Sequence, residues 1–398
     1  MTGNSFSVSG YGPARAGWTR IFARDSLTRR LDWPILLAAL ALSLLGSLLV
    51  FSATRNRTEI NQGDPYYFLE RHLMNLGIGF ALMIGTIWLG HRALRNAVPI
   101  LYGLSLFGVL LVLTPLGATI NGSRNWIVFG GGFSIQPAEF VKITIILGMA
   151  MILAARVDAG DKPYPDHRTV LQSLGLAAVP ILIVLMMPDL GTVLAMVAII
   201  LGILLASGAS NRWIFGLLTA GVLGCVAIWQ LHILDQYQIN RFAAFANPAL
   251  DPSGVGYNTN QARIAIGSGG LTGAGLFHGS QTTGQFVPEQ QTDFVFTVAG
   301  EELGFLGAGL IIALIGIILW RACRIARDST ELYGTMVAAG IVAWFVFQAF
   351  ENIGMTLGIM PVTGLPLPFV SYGGSSMFVV WVAVGLLQSI KVQRPLSA

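Results

Sequence analysis

Residues 170–207 read VLQSLGLAAVPILIVLMM, then Pro188-Asp189, then LGTVLAMVAIILGILLAS. Their single charged side chain is Asp189. Each half is close to the roughly 20 apolar residues that cross a hydrocarbon core about 30 Å thick. Two such runs parted by Pro-Asp read as a tight membrane hairpin, because proline removes an amide donor and favours a turn.

Working outward, comparable runs lie near 33–53, 72–90, 94–114, 138–155, 212–232, 294–320, 333–357 and 370–390. The predicted fold class is therefore an all-α polytopic membrane protein with about ten transmembrane helices. Composition agrees: 54% of residues are hydrophobic, 11% are charged, and mean hydropathy is +0.69. Soluble domains carry about 25% charged residues, so the excess apolar surface must face lipid. Lys and Arg set the orientation. With the N-terminus inside, 16 of the 23 fall on inner segments. The outer side holds Arg55, Arg57, Arg71, Arg124, Lys142, Arg241 and Arg263. Both termini are then cytoplasmic. Residues 1–32, rich in Gly, Ser and Arg, read as a disordered cytoplasmic tail, 33–391 as the transmembrane domain and 392–398 as a second cytoplasmic tail. The first apolar run shows no cleavage site and is expected to stay as an anchor. The net charge of +4 sits at segment ends, so it reports membrane orientation rather than nucleic-acid binding. Cys225 and Cys323 lack metal-ligand spacing.

Two outer loops stand out. One spans about 115–137 and contains Asn121-Gly122-Ser123-Arg124-Asn125-Trp126. The other, 233–293, is a large extracellular loop between the seventh and eighth spans, long enough to expect a function. Its stretch 257–268 reads as a short amphipathic helix in the interface. Its glycine run 267–275 matches neither a P-loop nor a dinucleotide fingerprint. It is expected to be flexible backbone that hugs a substrate or bends into the bilayer surface.

Ionisable residues near or inside the membrane are functional candidates. The densest group closes the long loop, from Phe286 to Phe294. There Asp293 has two readings: an N-cap of the eighth helix, stabilised by free amides and the helix dipole, or a general base facing an extracellular cavity. Glu301 and Glu302 lie deeper and are expected to be held by donors on other helices, Arg or Lys among them. Gly300 and Gly304 would allow close helix contact. In Gln136-Pro137-Ala138-Glu139-Phe140-Val141-Lys142, proline suits a first helical turn and Glu139 can reach Lys142. The pair is either structural, or Lys142 joins Arg124 in offering positive charge to an anionic lipid head group. The last outer loop, Gly358 to Ser376, carries three prolines and four glycines and is predicted to be irregular. Such backbone at membrane depth needs cover by protein or water, which makes it a cavity wall or a tight turn.

At these motifs the chain resembles the SEDS family (shape, elongation, division and sporulation), whose members include RodA and FtsW. Gly122 to Ile127, Gln136 to Lys142, Gln261 to Gly307 and Asn352 to Ser376 carry the likeness, over nearly all of 33–390. Ile264 to Gly270 and His278 to Gln281 look more like RodA. The resemblance implies a peptidoglycan glycosyltransferase. It would polymerise lipid II into β-1,4 glycan strands at the outer face of the bacterial plasma membrane, with a class B penicillin-binding protein as partner. It implies that Asp293 is the catalytic base. Arg124, Lys142, Arg263, Glu289, Gln136 and Ser371 would meet substrate, while Glu139, Glu301, Glu302, Asn352 and Pro368 would support them. The leaving pyrophosphate needs a cation: Lys142, Arg124, Arg263 or a divalent ion such as Mg or Mn. No organic cofactor is expected. Two other classes compete. A lipid-linked precursor flippase or transporter would place essential charges at the midplane and inner side. A non-catalytic scaffold for a cell-wall synthase would tolerate change at Asp293. The crowding of motifs on the outer face favours surface chemistry.

Overall fold

The computed structural model describes residues 27–120, 123–129, 133–158, 164–187, 189–230 and 254–393, with residues 239 and 245. Most of residues 1–32, the stretch 233–253 except those two, and 394–398 lie outside the described residues. The chain forms α1 (Trp33–Thr54), α2 (Tyr67–Leu89), α3 (His91–Leu113), a three-stranded sheet, α4 (Pro137–Asp158), α5 (His167–Leu185), α6 (Leu190–Ala206), α7 (Asn211–Gln230), α8 (Val255–Ser268), α9 (Val295–Glu302), α10 (Gly304–Arg327), α11 (Leu332–Leu357) and α12 (Gly374–Val392). Among the described residues, eight of these are long and apolar enough to cross a membrane: α1 to α5 and α10 to α12. The two other segments read as spans are also helical: α6, a shorter apolar helix of 17 residues, and α7, of 20. The protein is a multi-pass membrane protein.

Hydropathy sets the layering. In α12 and α4, 78% and 67% of the most apolar window is buried, against 22% in α3 and 28% in α10. The first two are the interior and the others line the perimeter, where Ile100, Leu104, Phe305 and Leu306 stand exposed for lipid. Lipid tails supply no hydrophobic drive between helices, so close fit decides their packing. At Gly202 of α6 a methyl group would stand 2.4 Å from the Ala343 side chain of α11, so only glycine permits that approach.

At the start of α1, Asp32 ties three helices together. Its side chain caps α1 at the Ile35 amide and accepts from Arg321 of α10 and Lys391 of α12. Gln388 of α12 exchanges hydrogen bonds with its backbone amide and carbonyl. Burial opposes the charge of Asp32, but the hydrogen bonds from Arg321 and Lys391 outweigh it and hold the carboxyl below its ordinary value.

Four features differ from the sequence reading. The loop after α3 is not plain coil but an antiparallel sheet, β1 (Gly117–Ile120), β2 (Ser123–Phe129) and β3 (Phe133–Ile135), with Ile127 paired to Gly117 and to Ile135. The eighth run is not one helix: it breaks at Leu303 and Gly304 into α9 and α10. Gly304 has φ +66°, a left-handed conformation that glycine adopts without strain. The last helix starts at Gly374 rather than near 370. The glycine run 267–275 is tied by backbone hydrogen bonds to the ends of α9 and α10, with most of its residues exposed. Ala274 and Gly275 donate to the carbonyls of Glu301 and Glu302, and Phe305 and Leu306 donate to those of Gly270 and Leu271. A β-carbon on Gly269 would stand 1.9 Å from the Gly300 carbonyl oxygen. Gly304 thus admits this loop, while Gly300 admits Ile266 of α8, the close helix contact expected of it. The amphipathic stretch is helical as α8, and it buries Ala262 and Ala265 against protein.

Candidate functional site

A cavity of about 430 Å³ opens where ends of α2, α4, α6 and α8 meet the sheet, the turn before α9 and the loop before α12. Four carboxylates line it, Glu139, Asp189, Glu289 and Asp293, together with Arg71.

Asp293 directly precedes Phe294, the N-cap of α9. Its half-buried side chain lies on the cavity wall. The turn that presents it is built by Glu289, a non-glycine residue at φ +47°. Its carbonyl accepts from the amides of Thr292, Asp293 and Phe294 at 3.1–3.3 Å. Its carboxylate accepts from the Thr292 hydroxyl at 3.1 Å. Backbone strain of this kind persists only where the surroundings over-determine it. A second clamp comes from α11. Buried Asn352 donates through Nδ2 to the Asp293 carbonyl at 2.8 Å and to the Leu365 carbonyl at 2.7 Å, stitching the turn to the opposite loop.

That loop, 358–373, is irregular as predicted. Pro368 opens a turn in which Val370 donates to the Leu367 carbonyl. Ser371 is buried, and its hydroxyl accepts from the Leu367 amide, so it holds the loop's shape. Gln348 of α11 donates to the Pro366 carbonyl and accepts from the Trp344 indole. It also accepts from Lys142, so Lys142, Gln348 and Trp344 stand behind the cavity residues Glu139 and Pro366.

Lys142 is fully buried, 2.7 Å from Glu139 Oε1, and 4.7 Å from the Trp344 ring centre. This is the structural pair of the sequence reading, and it leaves Glu139 rather than Lys142 on the cavity wall. Arg124 is exposed on β2 and donates to the carbonyls of Thr114 and Gly117. Arg263 is exposed on α8 beside Gly358. Neither lines the cavity; Arg71 does, stacked 4.1 Å from the Tyr67 ring centre. Sequence reasoning placed Arg71 on the outer side but missed it as a site residue. Its signal was a position at the very start of the second apolar run. Gln136 lines the cavity and donates to Asp189, which also accepts from Asn125 and both donors of Thr192. Asp189 is the N-cap of α6.

Glu301 and Glu302 meet other donors than the expected cations. Glu301 accepts from the Gln281 and Thr282 amides and the Thr282 hydroxyl, and Glu302 from Ser52 of α1. On the cavity wall, burial raises the Tyr372 phenol above its ordinary pKa against the pull of Arg71, so it stands as a neutral donor. Among the described residues no three His, Cys, Asp or Glu side chains converge as metal ligands. The roles assigned to these residues carry no step through a metal.

Comparison with known proteins adds a family. The "Cell cycle protein" family of FtsW, RodA and SpoVE matches residues 32–395. Stage V sporulation protein E of Bacillus subtilis is 36% identical over 362 residues, covering 90% of this chain and 96% of its own. The probable peptidoglycan glycosyltransferase FtsW of Geobacter metallireducens is 36% identical, covering 92% and 95%. A chain of a peptidoglycan synthase complex, solved for its coordination of polymerization and crosslinking, superposes with a TM-score of 0.72 at 30% identity, covering 91% and 97%. The rod shape determining protein RodA of Thermus thermophilus superposes with a TM-score of 0.64 at 28% identity, covering 91% and 96%.

Proposed function

The chain belongs to the FtsW, RodA and SpoVE family, and we infer that it is a peptidoglycan glycosyltransferase of the bacterial plasma membrane. It polymerises lipid II at the outer face, with Asp293 as general base and a class B penicillin-binding protein as partner. The observation that carries this reading is Asp293 on the wall of the cavity, its backbone amide and carbonyl fixed by Glu289 and Asn352.

In the reaction one lipid II is acceptor and another is donor. Asp293 takes the proton of the acceptor 4-hydroxyl as that oxygen forms a bond to the donor's anomeric carbon. The bond from that carbon to the pyrophosphate oxygen breaks, and the lipid diphosphate leaves with the electron pair. Attack from the opposite face turns an α-linked donor into a β-linked product. A placed base contributes about 10²–10⁴-fold. The diphosphate needs no proton to leave, only charge neutralisation. Arg71 is the cation on this wall, and its planar fork matches phosphate oxygens. Met74, Trp126 and Phe133 give the same cavity an apolar side suited to lipid.

The test is polymerisation of purified lipid II by detergent-solubilised protein with its partner, for wild type and Asp293→Asn. Strands from wild type alone support the transferase and its base together. Equal strands from both would remove Asp293 from the chemistry. Absence of strands from a verified complex would overturn the activity.

A further inference from the structure

Glu139 has one oxygen with work to do and one without. It is 2% exposed, yet it lines the cavity. Oε1 takes the Lys142 ammonium at 2.7 Å, while Oε2 is buried without a hydrogen-bond partner. A buried charged acceptor left unpaired is costly, so a group that fills that place binds with the desolvation already spent. The partner can be narrowed. Lys142 neutralises the carboxylate from behind, so the pair offers a further cation no net charge. An anion would meet an oxygen lone pair. What remains is a neutral O–H or N–H donor. Gln136 stands one helical turn before Glu139, and Asp189 already accepts from it, from Asn125 and twice from Thr192, which nearly fills its acceptor capacity. Asp189 is therefore an organiser of this wall, and Glu139 Oε2 is its open acceptor.

We propose that Glu139 Oε2 accepts a hydrogen bond from a hydroxyl or acetamide N–H of the lipid-linked sugar, making the Glu139–Gln136 wall the glycan-reading part of the cavity. This rests on the transferase reading, in which the substrate is a sugar on a lipid diphosphate; Arg71 takes the diphosphate and this wall takes the sugar.

The test uses binding without turnover, in full-length Asp293→Asn protein, with two probes: lipid II and sugar-free undecaprenyl diphosphate. Glu139→Gln is added to this background. Lys142 claims the amide oxygen, so the amide nitrogen turns to the cavity and meets the sugar's donor head-on. Lipid II affinity is expected to fall about tenfold, with the affinity for undecaprenyl diphosphate within twofold of its starting value. Equal losses for both probes, or for neither, would overturn the proposal, the former because it marks a merely structural residue. Where Glu139→Gln fails to accumulate, Glu139→Leu with Lys142→Met removes charge pair and acceptor together, and the same sugar-selective loss is expected. Failure of the Asp293→Asn protein to bind either lipid would instead bring down the transferase reading itself.

Discussion

Removing the Asn352 amide tests whether the Asp293 turn is held for catalysis. Asn352 is fully buried, and its Nδ2 bridges the carbonyls of Asp293 and Leu365 at 2.8 and 2.7 Å. Asn352→Ala deletes both bonds and leaves one buried and one part-buried carbonyl short of a donor, at about 1–3 kcal/mol each. The local cost is thus about 2–6 kcal/mol, enough for the turn to shift away from the 358–373 loop. A displacement near 1 Å costs about 10² in rate. The expected outcome is a fall in kcat of about 100-fold with KM for lipid II changed less than threefold, because Arg71 and Gln136 are untouched. Asn352→Asp should be no better: a carboxylate oxygen would face two carbonyl oxygens. The assay is initial-rate polymerisation of lipid II by the partner-bound protein, with thermal unfolding in detergent to confirm folding. An Ala variant within threefold of wild-type kcat, or one whose whole loss lies in KM, would refute the positioning role.

Arg71→Ala should weaken binding of undecaprenyl diphosphate by about 10–100-fold, the range for lost hydrogen bonds to a charged group, with Arg71→Lys intermediate; unchanged affinity would move the diphosphate elsewhere. Gly304→Ala should sharply lower accumulation, since φ is +66° and the new carbon would stand 2.3 Å from the Gly273 nitrogen, whereas Gly309→Ala, with nothing within 4 Å, should be neutral. Western blots of membrane fractions separate the two, and equal levels would contradict the packing described. The depressed carboxyl of Asp32 contributes stability that is full above its unfolded value, about 3.9, and is lost as pH falls through the lower folded value. Melting temperature in detergent should therefore fall below about pH 4 in wild type, and Asp32→Asn should start lower and show a flatter profile; superimposable curves would exclude the clasp.

The spans were legible because hydrocarbon leaves few choices: an apolar run of the right length has to be helix. The irregular 358–373 loop was legible from its prolines for the same reason. The sheet at 117–135 was not, although Ile127-Val128-Phe129 and Phe133-Ser134-Ile135 flank glycines, because three short strands give a weak periodic signal. The break at Gly304 was hidden because Gly300-x-x-x-Gly304 fits a continuous helix equally well. Glu139 and Lys142, three residues apart, fit an ion pair and a head-group contact alike; only burial separates them. Arg71 drew no notice because its role depends on the 358–373 loop, some 300 residues away, folding back beside it.

The filled side of the cavity sets a traffic rule. Behind Glu139 and Pro366 the way is taken up by Lys142, Gln348 and Trp344, all buried. With that side filled, supply and export share what remains open. Spent lipid carrier must back out before a fresh donor is admitted, while the lengthening strand stays at the threshold. Turnover in such a chamber is paced by queueing, and whatever holds the strand aside at the mouth sets how long the polymer grows.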